Sequence, residues 1–124
     1  MSSTHQERHP ILDDLTAEAE LISSVLRGPV IGREEIRRVV DAVGTFYVEQ
    51  APTFMEIVGS RTFLEYEALL TSGERLNAIV IIDRHPDGSI PRVSVRMAPV
   101  HAVVSLADHL KGALSGQLPK QLFL

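Results

Sequence analysis

The chain has 124 residues, 44% of them hydrophobic and 23% charged, the make-up of one packed globular domain. Its net charge of −4 argues against nucleic acid as a partner, because neutralising phosphates takes a basic surface. It contains no cysteine, which excludes disulfides, thiolate catalysis and cysteine-bound zinc and fits a cytoplasmic location.

The opening residues, MSSTHQERHP, are polar and lack the apolar core of a signal peptide, and no later run is long enough to cross a bilayer. Positions 1–9 therefore read as a disordered tail, and no membrane contact is expected. Pro10 followed by Ile11, Leu12 and Leu15, with Asp13 and Asp14 in the first turn, reads as a short helix start. The next stretch, ELISSVL, fits either an extension of that helix or a first strand. Ile36, Val39, Val40, Val43, Phe46 and Tyr47 then recur at helical spacing and predict a helix over Arg33–Tyr47, with Gly32, Glu34 and Glu35 marking its start. Beyond Pro52, TFMEIV, TFLEYEALL, NAIVIID and IPRVSVRM are separated by GSR, TSGE and HPDG turns, a four-strand antiparallel meander. Pro99 opens a last helix to Leu114, with Val100, Val103, Val104, Ala107, Leu110 and Leu114 as its apolar stripe. Helices, strands, helix is an α+β order, with the helices gathered on a curved antiparallel sheet. No repeat or linker divides it, so 1–124 reads as a single domain. Residues 117–124 form an apolar extension whose Leu118, Leu122, Phe123 and Leu124 are expected to dock on the sheet or on a partner subunit.

Turn lengths set register, and register sets faces. Ser72-Gly73 as a two-residue turn puts Glu65 opposite Val80 and Glu67 opposite Ala78; HPDG as a four-residue turn puts Val80 opposite Val93. One face then gathers Phe54, Glu56, Phe63, Glu65, Glu67, Val80, Val93, Val95 and Met97 and packs on the helices. The other carries Tyr66, Ile79, Ile81, Arg92 and Arg96 and suits a second subunit. On this reading Phe54, Glu56, Phe63, Val80, Val93, Val95 and Met97 line a pocket. Glu65 and Glu67, two apart on one strand, are its candidate catalytic acids, since carboxylates held against valines are the kind that work as general acid or base. The structural alternative is a wet strand end, or pairing with Arg37, Arg38 or Arg75. Of the five histidines, His101 and His109 lie eight apart on the last helix, where a chelating pair would stand four apart, so no metal is expected.

The helix GREEIRRVV, then LEYEALLTSGERLNAIVIIDRHPDGSIPRVSVRMAP and a closing helix, resembles the SnoaL-like proteins of the nuclear-transport-factor-2-like superfamily over about Pro10 to Leu114. The hairpin ending in RMAP is its most diagnostic part. The resemblance implies a cone (the shape also called cystatin-like): a strongly bent antiparallel sheet wrapped by helices, an apolar pocket, and a homodimer through the outer sheet face. The superfamily includes ketosteroid isomerase, polyketide cyclases, limonene epoxide hydrolase, scytalone dehydratase and non-catalytic binders, so fold leaves function open. In the isomerase pattern one aspartate stands eight residues before the DG glycine and another nine before the glycine preceding the second helix. Those positions hold Val80 and Ser23 here, and no tyrosine precedes Tyr47, so isomerase activity is not expected. Three functions remain. The first is binding of a small apolar, polyketide- or terpenoid-like molecule, with no cofactor. The second is a lyase, cyclase or hydrolase using Glu65, and the third a non-catalytic dimerisation module.

Overall fold

The structure, a computed structural model, describes residues 11–124; the expected tail at 1–9 lies outside the described residues. A single helical turn, Leu12–Asp14, leads into strand β1 (Leu15–Ser23) and a two-residue strand β2 (Val30–Ile31). Helix α1 (Arg33–Phe46) follows, then the long strands β3 (Tyr47–Val58), β4 (Arg61–Leu70), β5 (Arg75–Asp83) and β6 (Ile90–Ala98). Helix α2 (Val100–Ala113) and a last helical turn, Lys120–Leu122, complete the chain.

The ambiguous ELISSVL segment is strand. Leu15, Ala19, Leu21 and Ser23 are buried along β1, and after Ala19 the alternation is strictly two-residue, which one face of a sheet requires. The sheet has six strands in the order β2-β1-β6-β5-β4-β3. Its β3–β6 part is the expected antiparallel meander, but β1 runs parallel to β6. Parallel neighbours need a long crossover, and here α1 and four strands intervene, so no local turn announces the pairing.

Both helices lie on one face. Ile36, Val39 and Ala42 of α1 and Ala102, Val103, Leu106 and Leu110 of α2 form one core with Ala78, Val80, Ile82 and Val93. Gly32 precedes α1 at φ 110°, a backbone conformation that side-chain-bearing residues rarely adopt, so the start of the helix requires glycine. The α2 stripe differs from expectation: Val100 and Val104, one helical turn apart, are exposed at 76% and 44%, and Ala102 and Leu106 are buried instead. No helix among the described residues is long and apolar enough to cross a membrane.

The register corrects the face assignment. Leu70 and Glu74 close the β4–β5 turn, with the Leu70 N–H donating to the Glu74 carbonyl at 2.9 Å, and three residues, Thr71, Ser72 and Gly73, form the loop. Gly73 takes φ 91°, the left-handed position such three-residue loops need. One residue more than expected moves every pair by one: Leu64 opposes Val80, Tyr66 opposes Ala78, and Glu65 opposes Ile79. A one-residue slip exchanges the faces of β4. The β5–β6 turn is also longer than expected, but by an even count: Val80 opposes Val95 and Ile82 opposes Val93, so those faces stand.

Strand β3 is the sheet edge, and every residue after Tyr47 is exposed. Its pairing with β4 shifts between Tyr47 and Glu49 and again between Pro52 and Phe54, bulges that bend the strand. The C-terminal extension docks as its apolar residues demand. Phe123 is fully buried and bridges Leu26, the Leu124 N–H donates to the Val25 carbonyl at 2.9 Å, and Arg27 Nε donates to the Phe123 carbonyl at 3.1 Å.

Candidate functional site

Between α1, β1 and the concave face of the sheet lies a cavity of about 570 Å³. Val39, Val40 and Val43 line it from the helix, and Leu21 and Val25 line it from β1 and the turn beyond. The sheet floor is Leu64, Val80, Val93, Val95 and Met97. Of the expected pocket residues, Val80, Val93, Val95 and Met97 line this cavity. Ser23 and Val80, the two isomerase-pattern positions, both line this cavity and carry no acid.

The other expected residues do not line it. Phe54, Glu56, Phe63, Glu65 and Glu67 follow the displaced register onto the convex face, where Phe54 pairs with Glu65 and Glu56 with Phe63. Phe54 is 52% exposed. Glu65 accepts a hydrogen bond from the Thr53 hydroxyl at 2.8 Å on that outer side. The carboxylate pair read as candidate acids thus points away from the cavity. The same displacement moves Tyr66 from the outer face to the inner one.

The cavity's distinctive polar feature is a pair of tyrosines. The Tyr47 and Tyr66 hydroxyls are 2.7 Å apart, with ring centroids 5.9 Å apart and inclined at 59°. Tyr47 reaches this point because α1 ends one residue early and hands it to the first position of β3. Tyr66 arrives from β4 through the corrected register. Burial is the main cause that raises the pKa of both phenols; Tyr47 is raised further by the charge its neighbour would carry and by their hydrogen bond. Both stay protonated. Two hydroxyls sharing one hydrogen bond leave one O–H free to donate. Asp41, Gly44 and Gln50, all exposed, also line the cavity and mark where it opens to solvent.

Sequence reasoning placed Tyr47 in a helix stripe and Tyr66 on the wrong face, so it missed the pair. One signal was present: these are the two tyrosines of the chain.

No family model and no curated protein matches the chain. Solved structures do. An uncharacterised protein with a cystatin-like fold from Silicibacter pomeroyi superposes with a TM-score of 0.79 at 18% identity, over 86% of this chain and 74% of that one. A steroid delta-isomerase from Pseudomonas aeruginosa gives 0.78 at 21% identity, over 84% and 77%. A putative SnoaL-like polyketide cyclase from Jannaschia gives 0.61 at 10% identity, over 77% and 74%. NTF2-like proteins of unknown function are similar as well. At these identities the likeness establishes fold: the chain has the cystatin-like, NTF2-like α+β fold.

Proposed function

We propose that the protein binds a small apolar molecule in the cavity between α1 and the sheet, without turning it over. The observation that carries this is the cavity itself, about 570 Å³ and walled by aliphatic side chains, with a half-buried tyrosine pair and Ser23 as inner polar groups. That volume sits within the range of about 300–1,000 Å³ usual for small-molecule sites. An open cavity of this size disfavours the pure dimerisation module, which would fill it with its own side chains. The lyase, cyclase or hydrolase alternative drew on Glu65 and Glu67, which face the other way. The phenols, held neutral by burial, serve as hydrogen-bond donors and acceptors. The test is a thermal-shift and native mass spectrometry screen of terpenoid- and polyketide-like molecules against wild type and Val80→Phe, which fills the cavity floor. At least one compound is expected to bind wild type, with the variant binding it at least tenfold more weakly. No binder in the panel, or binding that Val80→Phe leaves untouched, overturns the reading.

We also infer that the convex face pairs with a second copy of the chain. Ile79 and Ile81 of β5 form its centre, flanked by the exposed Phe54 and half-buried Phe63. Glu56, Glu65 and Glu67 lie on the β3–β4 side, and Arg92 and Arg96 on the β6 side. A two-fold axis along β5 would set each acidic side over the partner's basic side, the self-complementarity an isologous dimer needs.

A further inference from the structure

We propose that the cavity selects its ligand by charge, admitting neutral and cationic amphiphiles and excluding carboxylates, with Asp41 as the specificity-determining residue. The inference rests on the binding reading above and adds the chemical class of the ligand.

Asp41 carries the charge on the lining. No lysine, arginine or histidine is among the residues described there, so a carboxylate head drawn into the cavity would leave water without a cation to meet it. Burying an anion that way costs far more than burying a hydroxyl, which needs only hydrogen bonds. The Tyr47–Tyr66 pair supplies such hydrogen bonds: one spare O–H for a ligand oxygen, and oxygen lone pairs and ring faces for an ammonium group. Asp41 itself is exposed on α1, three residues before Gly44, where an added Cβ would meet nothing within 4 Å, so the mouth beside it is open. The arginines one turn back stand beside other carboxylates, Arg37 4.0 Å from Glu34 and Arg38 3.6 Å from Glu35. Asp41 is thus left facing whatever enters. The chain's net charge of −4 biases approach in the same direction.

The test uses decylamine, decanol and decanoate, which share one chain and differ in head charge, titrated into the full-length protein below their micellar concentrations. Decanol and decylamine are expected to bind, and decanoate to bind at least tenfold more weakly than decanol. Asp41→Asn should lower the amine-to-alcohol affinity ratio about fivefold, the size of one ion contact near a surface, and added salt should lower the wild-type ratio. A merely steric role for Asp41 would leave that ratio and its salt dependence unmoved, which overturns the assignment of Asp41. Decanoate binding as well as decanol overturns charge selection while leaving the cavity a binding site. Failure of all three probes to bind overturns both.

Discussion

Raising the pH isolates the tyrosine pair from the rest of the molecule. The chain has two tyrosines and no tryptophan, so its phenolate absorbance reports on Tyr47 and Tyr66 alone. In the unfolded chain each phenol ionises near its ordinary value of about 10. In the fold, burial first, and for Tyr47 also the neighbouring phenol, holds both above it. Below about pH 10 both states carry the protons, and the contribution to stability is complete. Above that value the unfolded state gives them up while the folded state keeps them, so stability falls as pH rises. Tyr47 contributes a slope of about 1.4 kcal/mol per pH unit above that point, and Tyr66 adds to it until its own raised pKa is reached. Against a total of about 5–15 kcal/mol for a domain, about two to three units above pH 10 removes a substantial share. The assay follows phenolate absorbance and far-ultraviolet circular dichroism through one alkaline titration. Absorbance should stay flat until the dichroism collapses and then rise for both rings in one step; Tyr47→Phe or Tyr66→Phe should halve its amplitude. Phenolate absorbance with a midpoint near 10 while the dichroism stays native would refute the half-buried, hydrogen-bonded pair.

Two further outcomes follow from other parts of the fold. Phe123→Ala empties a fully buried site that anchors the C-terminal segment, and urea denaturation should report a loss of about 3–5 kcal/mol; a loss under about 1 kcal/mol would refute the docking. Sedimentation velocity should find wild type dimeric, Glu65→Arg and Arg96→Glu each shifted to monomer, and the double variant restored; a monomeric wild type at tens of micromolar, about the range for interfaces of standard size, would refute the convex-face pairing.

The helices were legible because Val39, Val40, Val43 and their neighbours repeat at a period no strand shares, and because Gly32 and Pro99 mark both starts. The meander was legible from its turns. The parallel pairing of β1 was not, since parallel neighbours are joined by no local turn for the sequence to display. The candidate site was half legible. Val80, Val93, Val95 and Met97 kept their face because the β5–β6 offset is even, whereas Glu65 and Tyr66 changed places because the β4–β5 offset is odd. TSGE is compatible with a two- or a three-residue loop. Alternation could not arbitrate on β4, where LEYE carries a polar or polar-capable side chain on either face.

The three-residue loop at Thr71–Gly73 therefore governs β4 by parity. Removing one residue there would rotate the strand half a turn about its axis, offering two carboxylates to the cavity and Leu64 and Tyr66 to water. Removing or adding two would slide the strand along its neighbours and keep its inward residues inward. Among proteins of this architecture, a single-residue gap at that turn would rewrite the chemistry of the cavity without changing any residue that touches it.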